Sequence, residues 1–177
     1  MRLFIAFDIP EQVKTMLVSI QEKIKSDAKI KWVKAENMHL TLKFLGEVAE
    51  DKVEDIKKRL GAVKFKPFDV EVSEIGVFPS ESYIRVIWVG LKDDKSMQEL
   101  VKNVRSALPE FKDDYEFKAH LTIARIKFVK DKKTLVGELK KIKVKPEKFS
   151  VKEFKLYKST LTREGPVYEE VAVFPAK

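Results

Sequence analysis

Hydrophobic and polar residues alternate along much of the chain with the two-residue period of a β-strand, and amphipathic helical segments separate these stretches. The alternation predicts strands at positions 2–9, 30–34, 38–45, 68–78, 83–91, 118–128, 149–161 and 167–174. Helical spacing predicts helices at 10–27, 50–60 and 131–141, and a further helix that Asp93 or Asp94 caps and that runs to Leu108. A four-residue turn at 79–82 joins two of the strands into a hairpin. Strands interleaved with helices and hairpins indicate an α+β fold with largely antiparallel sheets.

A tetrapeptide that occurs twice is the strongest feature of the sequence: HLTL at 39–42 and HLTI at 120–123. The chain contains only two histidines and six threonines, and both histidines are followed by Thr at the second position. The halves do not align convincingly outside these tetrapeptides, so the repeat predicts a structural duplication. The simplest use of two matching strands is to oppose them across one cleft.

Each tetrapeptide lies in a predicted strand, where successive side chains point to opposite faces. His39 and Thr41 therefore share one face, as do His120 and Thr122, while the aliphatic residues between them face a core. Strict alternation places Arg125 on the face opposite His120, so it reaches the cleft only if the strand twists, bulges or ends there. Lys43 falls on the His39 face, and a solvated lysine is the preferred interpretation.

Paired imidazoles suit general acid and base catalysis, because a reference pKa near about 6.5 makes both protonation states accessible at neutral pH. One histidine takes a proton from the attacking oxygen and the other gives a proton to the leaving oxygen. The hydroxyls of Thr41 and Thr122 donate hydrogen bonds to the non-bridging oxygens of one phosphoryl group, where charge develops. Arg125 is a candidate clamp for the same phosphate.

Three alternatives compete with this interpretation of the histidines. A catalytic metal usually takes three or more His, Cys or carboxylate ligands with close spacing, which the tetrapeptides lack. A serine-hydrolase relay needs a nucleophile elbow of the G-x-S-x-G type, which the sequence does not contain. Two half-buried structural histidines are the remaining alternative. Because the tetrapeptides lack a set of metal ligands, we expect neither a metal nor another cofactor.

Composition narrows the class of partner. The chain has 177 residues, 36 Lys and Arg against 28 Asp and Glu, and a net charge of +8, which favours a polyanionic partner such as RNA. It has no Cys, and no apolar run approaches the length of about 18–20 residues that spans a membrane. We expect a single cytoplasmic domain that does not enter membranes. Many Lys and Glu with few amides resemble proteins from hot environments.

The sequence resembles the 2H phosphoesterases, and among them the LigT-like RNA 2′,3′-cyclic phosphodiesterases, also called 2′-5′ RNA ligases. The resemblance covers IKWVKAENMHLTLKFLGEV, IGVFP followed by SYIRVIWVGL, HLTIAR, and FKLYKSTLTREGPVYEEVAVFP, in the family's order. It implies one domain over residues 1–177, with two lobes related by a pseudo-two-fold axis and a central groove between them. We also expect a monomer.

The resemblance further implies metal-independent hydrolysis of 2′,3′-cyclic phosphate RNA ends to 2′-phosphates. His39 and His120 would be the acid/base pair, with Thr41, Thr122 and Arg125 binding the phosphate. Which histidine is the acid stays open, with His39 marginally preferred. The reverse reaction would join tRNA halves through a 2′-5′ linkage.

Two other functions stay open at this point. One is a phosphodiesterase acting on a small cyclic nucleotide, an ADP-ribose cyclic phosphate or a 2′-5′ oligonucleotide. The other is an RNA- or nucleotide-binding module that keeps the groove without chemistry.

Overall fold

The structure, a computed structural model, describes residues 1–93 and 95–177. Within these residues the chain forms nine strands and four α-helices. The strands are β1 (Arg2–Asp8), β2 (Lys29–Trp32), β3 (His39–Glu47), β4 (Phe68–Ser80), β5 (Tyr83–Lys92), β6 (His120–Phe128), β7 (Lys148–Val151), β8 (Glu153–Thr162) and β9 (Gly165–Pro175). The helices are α1 (Glu11–Lys23), α2 (Val53–Gly61), α3 (Ser96–Ala107) and α4 (Lys132–Lys141).

The strands form two sheets in which every pairing is antiparallel. The first, here called the His39 sheet, has the strand order β3-β1-β8-β9. The second, the His120 sheet, has the order β2-β6-β5-β4-β7. The predicted α+β fold with two antiparallel sheets is confirmed.

A pseudo-two-fold relation links the sheets, because β3-β1-β8-β9 corresponds to β6-β5-β4-β7. The two motif strands β3 and β6 have the same burial pattern at all nine positions. Helices are exchanged between the halves: α1 follows β1 yet contacts β6, and α3 follows β5 yet contacts β3. Only β2 has no counterpart among the strands of the His39 sheet.

Buried side chains from both sheets and all four helices form one continuous hydrophobic cluster, which does not include Phe4, Ala6 and Trp88. As the alternation predicts, the aliphatic residues of both tetrapeptides lie in this core and are at most 2% exposed: Leu40, Leu42, Leu121 and Ile123. Burial of four aliphatic side chains at these positions fixes the register of the motif strands, because a one-residue slip would turn them towards solvent. The histidines are thereby directed away from the core.

The predicted strand at 149–161 is wrong as a single element. It is two strands, β7 in the His120 sheet and β8 in the His39 sheet, separated at Lys152. The carbonyl of Lys152 accepts a hydrogen bond from the Ala176 amide, 2.8 Å away, as the chain passes between sheets. Both strands bury alternate residues, but the buried positions change from Phe149 and Val151 to Phe154 and Leu156, so the two-residue period is interrupted where the chain changes sheets.

Smaller differences concern element ends. Helix α1 ends at Lys23 rather than at residue 27, because the backbone of Ile24 is extended. In this conformation the side chain of Ile24 is buried. The turn between β4 and β5 is Glu81-Ser82, because β4 continues through Pro79. Proline is tolerated at this position because the register with β5 shifts there and β4 has no second strand paired to its other side at Pro79. The carboxylate of Asp93 accepts a hydrogen bond from the Met97 amide, whereas Asp94 lies outside the described residues.

Candidate active site

The two sheets enclose a groove of about 1250 Å³, and β3 and β6 contact each other there. All five predicted site residues line this groove: His39, Thr41, His120, Thr122 and Arg125. The two tetrapeptides, which lie 81 residues apart in the chain, therefore contribute to one site.

A β-bulge in β6 explains how Arg125 enters the groove. In the pairing of β6 with β5, the register shifts between Thr122 and Ala124, so that Ile123 is an extra residue. A bulge of this kind reverses the alternation of the residues that follow it. Arg125 therefore lies on the same face as His120 and Thr122, whereas strict alternation would place it on the opposite face.

The same bulge occurs in β3, where Leu42 is the extra residue opposite β1. It turns Phe44 into the groove, where the ring is 53% exposed. Phe44 follows His39 by five residues, as Arg125 follows His120, so the two side chains occupy equivalent positions in the two strands. The sequence analysis missed Phe44, although this equal offset was a signal that could have found it.

Lys43 is a correction to the sequence analysis, because it is not a solvated lysine on the His39 face. Past the bulge its side chain turns into the interior, where the residue is 1% exposed. Its Nζ donates to the Asp113 carboxylate and to the Phe111 carbonyl, both at 2.6 Å. Because the segment with Phe111 and Asp113 precedes β6, Lys43 connects the His39 strand to the approach of the His120 strand.

Backbone carbonyls orient both imidazoles. The Nδ1–H of His120 donates to the carbonyl of Lys118, 2.6 Å away, so the neutral ring carries its proton on Nδ1 and leaves Nε2 as the acceptor. His39 bonds to the backbone of Asn37, which also lies two residues upstream. The Phe78 ring packs edge-on to His120, with the ring centroids 5.0 Å apart.

Burial lowers the pKa of both histidines. It lowers the pKa of His39 to about 4, against the opposing effect of the Asp8 carboxylate. Burial also lowers the pKa of His120 from its usual value, and the charges of Arg125 and Lys118 act in the same direction. Both rings are therefore mainly neutral at pH 7. A phosphodiester anion placed between them would favour the protonated forms.

Among the carboxylates of residues 1–93 and 95–177, one stands beside His39 and none lies opposite His120. Asp8 pairs with His39 in the β1–β3 register, whereas the equivalent residue opposite His120 is Gly90. Burial by itself would raise the pKa of Asp8, but hydrogen bonds from Tyr157 and Lys155 hold it below its ordinary value. The ionised Asp8 therefore favours a positive charge on His39.

The polar surroundings of the groove are mainly cationic. Five basic side chains line it: Arg2, Lys31, Lys34, Lys118 and Arg125. Two acidic side chains, Glu116 and Glu164, also line it. Within the described part of the chain, none of the five cations lies within 4.0 Å of a carboxylate, so their charge is available to an anionic ligand.

Residues 1–93 and 95–177 contain no group of three or more His, Cys, Asp or Glu side chains that could hold a metal ion. Among the same residues, no helix has the length and apolar character needed to cross a membrane.

Comparison with known proteins agrees with this geometry. The family model described as LigT like Phosphoesterase matches the chain twice, at residues 7–88 and 89–168, so each match contains one His-x-Thr motif. The RNA 2′,3′-cyclic phosphodiesterase of Methanocaldococcus jannaschii is 42% identical over 174 residues, which are 97% of this chain and 98% of that protein. The protein of the same name from Archaeoglobus fulgidus is 37% identical over 179 residues, covering 98% and 99% of the two chains.

Solved structures share the fold. A crystal structure of a Thermus thermophilus protein superposes with a TM-score of 0.81 at 29% identity, covering 99% of this chain and 97% of that one. The crystal structure of Escherichia coli LigT complexed with 3′-AMP gives a TM-score of 0.81 at 24% identity, with 99% and 97% covered. The duplicated family match and the full-length relatives lead to one conclusion. This chain belongs to the LigT-like phosphoesterase family.

Proposed function

We propose that the protein is an RNA 2′,3′-cyclic phosphodiesterase that opens the cyclic phosphate at an RNA 3′ end and leaves a 2′-phosphate. The observation that carries this proposal is the presence of both His-x-Thr faces and Arg125 in one cationic groove. Full-length relatives that bear the name RNA 2′,3′-cyclic phosphodiesterase support the choice of substrate.

In the proposed reaction, a water molecule attacks the phosphorus of the cyclic phosphate and the bond between phosphorus and the 3′ oxygen breaks. One neutral histidine takes the proton of the water, and the other, protonated, gives a proton to the departing 3′ oxygen. The hydroxyls of Thr41 and Thr122 and the guanidinium of Arg125 hold the non-bridging oxygens, where negative charge accumulates in the transition state. These groups account for proton transfer and charge stabilisation without a metal.

The surroundings of the two histidines support His39 as the base and His120 as the acid, which reverses the marginal preference drawn from the sequence. A base must begin the reaction neutral, and the pKa of His39, lowered to about 4, favours that form. After His39 has taken the proton, Asp8 stabilises the positive imidazolium beside it. His120 has no carboxylate at the equivalent position and acquires its proton when the anionic substrate binds.

A sulfur leaving group tests this assignment. A cyclic phosphorothiolate with sulfur in place of the 3′ oxygen needs no acid, because a thiolate leaves unprotonated. We expect the sulfur substrate to restore activity to His120→Gln but not to His39→Gln. If the sulfur substrate instead restores activity to His39→Gln, the two roles are reversed and the overall reaction still stands.

The same groove can run the reaction backwards. The 5′-hydroxyl of a second RNA, such as a tRNA half, would replace water and give a 2′-5′ linkage. Hydrolysis should dominate in dilute solution, since water is always in excess over the RNA hydroxyl. We further propose that a monomer suffices, because one chain supplies all five site residues; light scattering of the active sample tests this.

The test of the function uses an oligonucleotide with a 2′,3′-cyclic phosphate end, incubated with the protein and excess EDTA. We expect complete conversion to a 2′-phosphate with a free 3′-hydroxyl, identified by mass spectrometry and resistance to a 3′-phosphatase. A 3′-phosphate product, or activity that EDTA abolishes, would contradict the proposed chemistry. No conversion, with RNA binding retained in His39→Gln/His120→Gln, would favour a binding module.

The salt dependence of binding separates RNA from a small cyclic nucleotide or an ADP-ribose cyclic phosphate. RNA contacts several phosphates, and each contact with a single strand adds about 0.7 to the slope of log affinity against log salt. A slope below about 1 for every oligonucleotide would favour the small substrate. The volume of the groove, about 1250 Å³, favours the larger one.

A further inference from the structure

Strand β2 is the one strand of the described chain that breaks the pseudo-two-fold relation of the two sheets. It adds a fifth strand to the outer edge of β6, whereas β3 at the equivalent place in the other sheet is itself the edge. Its four residues contribute little to the core, since only Ile30 is partly buried and the other three are exposed. Burial of hydrophobic surface therefore does not explain why β2 is present in the His120 sheet.

The position of β2 relative to the candidate site suggests another purpose. Lys31 is the cross-strand partner of Arg125, and Trp32 is the partner of Ala124. Lys31, Trp32 and Lys34 all line the groove, and we call these three residues the β2 rim. The β2 rim extends the cationic surface outward from the guanidinium that is proposed to hold the phosphate.

The side chains of the β2 rim have the chemistry of a single-strand binding surface. The indole of Trp32 is 38% exposed, and neither lysine has an ion-pair partner within the described residues. Exposed aromatic rings on which bases stack, with cations for the backbone, are the usual means by which proteins hold single-stranded RNA. A protein that acted only on a mononucleotide would have no use for a tryptophan and two lysines beyond its phosphate-binding arginine.

Dimensions and connectivity agree with this view. The groove of about 1250 Å³ exceeds the roughly 300–1,000 Å³ of pockets that enclose one small ligand. A cyclic phosphate occupies the 2′ and 3′ oxygens of the last nucleotide, so the remaining RNA leaves only through the 5′ oxygen. Space beyond the terminal nucleotide is therefore available to a single segment, the nucleotides on its 5′ side.

We propose that the β2 rim is a binding subsite for the RNA on the 5′ side of the cyclic-phosphate end. Trp32 stacks on an upstream base, and Lys31 and Lys34 contact backbone phosphates. The proposal rests on the proposed function and adds to it a preference for RNA over cyclic mononucleotides.

The test compares kcat/KM for two substrates: 2′,3′-cyclic AMP and an eight-nucleotide RNA with the same cyclic end. Base stacking on one aromatic ring contributes enough for Trp32→Ala to lower kcat/KM for the RNA about 10-fold or more. The mononucleotide should change by less than about 2-fold. Trp32→Phe should restore most of the RNA activity, because phenylalanine still stacks. An equal loss on both substrates, or no loss on either, would overturn the proposal.

Matched controls come from the same pair of strands. Phe128 is 59% exposed on β6 but does not line the groove, so Phe128→Ala should leave both substrates unaffected. Lys31→Ala/Lys34→Ala should lower the salt slope of RNA binding by about 1.4, from about 0.7 for each lost contact. Lys29→Ala, an exposed lysine of β2 outside the groove lining, should leave the slope unchanged. Equal slopes in the rim and control variants would contradict the subsite.

A binding measurement distinguishes failure of this inference from failure of the proposed function. An eight-nucleotide RNA that already carries a 2′-phosphate cannot react, and its affinity is read by fluorescence anisotropy. If the protein hydrolyses neither substrate but Trp32→Ala weakens binding of this RNA about 10-fold, the subsite stands and the enzymatic proposal fails. If hydrolysis occurs and binding is insensitive to Trp32, the reverse holds.

Discussion

The two halves of the groove have the same backbone but carry different chemistry at equivalent positions. Both motif strands present His and Thr, both contain a bulge after the third residue of the tetrapeptide, and both direct the fifth residue after His into the groove. That fifth residue is Phe44 in one half and Arg125 in the other. Duplication of a strand thus brings two imidazoles to one groove, and differences between the copies give the two imidazoles different surroundings.

The environments of the histidines differ in the same way. His39 is enclosed by aromatic rings, with Phe4 stacked at 5.0 Å and Tyr168 edge-on at 5.1 Å, and has Asp8 beside it. His120 packs against Phe78 and lies near two cations, Arg125 and Lys118, with no carboxylate opposite. A symmetric pair of imidazoles would have no preferred direction of proton transfer. In the proposed reaction, the asymmetry of their neighbours supplies such a direction.

The largest expected effect comes from removing either histidine. His39→Gln and His120→Gln should each lower kcat by about 10²–10⁴-fold, which is the usual contribution of one proton transfer. The double variant should lose little more than the worse single variant, because both groups act in one transition state. The comparison is measured by single-turnover hydrolysis of the cyclic-phosphate RNA. Retention of a tenth of the activity in either single variant would mean that only one half is catalytic.

Breaking the buried ion pair is expected to have the next largest effect, on stability. Lys43 has the buried Ala124 as its equivalent in β6, so the fold itself does not need a lysine there. Asp113→Asn leaves the Lys43 cation, whose side chain is 0% exposed, without its counter-ion. Such a loss costs about 3–5 kcal/mol, or roughly 10 °C in melting temperature for a chain of this size.

Lys43→Met should destabilise the protein less than Asp113→Asn. The Asp113 carboxylate is 21% exposed and still has the Nε of Arg105 3.4 Å from its Oδ1, so its charge keeps a partner. Calorimetry of both variants gives the order. The exposed pair of Arg59 and Glu110 serves as control, and Glu110→Gln should change the stability by less than about 1 kcal/mol. A greater loss from Lys43→Met than from Asp113→Asn would show that packing, not the buried charge, dominates at this position.

Acid pH should distinguish the two histidines through stability. The pKa of His39 is about 4 in the folded protein, against a reference value of about 6.5 in the unfolded chain. Between these values the unfolded chain binds more protons, so the stability that neutral His39 contributes is complete above pH 6.5 and is lost as the pH falls towards 4. The lowered pKa corresponds to a loss on the order of 3 kcal/mol.

Denaturant titrations at pH 7 and pH 4.5 measure this loss. The loss should be smaller in His39→Gln than in the parent, because glutamine does not titrate. His120→Gln keeps His39 and should retain most of the loss. An identical pH dependence in the parent and His39→Gln would exclude His39 as the origin.

Much of this fold and site follows from the sequence because alternation, helical spacing and the repeated tetrapeptide are local signals. The burial of Leu40, Leu42, Leu121 and Ile123, and hence the direction of the histidines, required nothing more. What could not be predicted depends on pairing between distant strands. The bulges that turn Arg125 and Phe44 into the groove are identified by the registers with β5 and β1.

Two other features were also missed, each for its own reason. The burial of Lys43 requires the same bulge in β3 and an aspartate 70 residues away. The division of residues 149–161 between two sheets accompanies a break in the two-residue period between Val151 and Phe154, a local signal that the sequence analysis did not use.

The smallest expected effects come from the pair at equivalent positions, Arg125 and Phe44. Arg125→Gln removes the proposed charge-assisted contact to the phosphate and should lower kcat/KM about 10–100-fold for RNA and mononucleotide alike. Phe44→Leu keeps an apolar side chain and should lower kcat/KM less than 10-fold, mainly through KM, since the ring offers packing and no charge. Exchanging the two residues, Phe44→Arg/Arg125→Phe, is the sharpest test of the comparison between the halves. If the halves were interchangeable, the exchanged variant would recover activity; because Asp8 and β2 each serve only one half, we expect it to remain at least as impaired as Arg125→Gln.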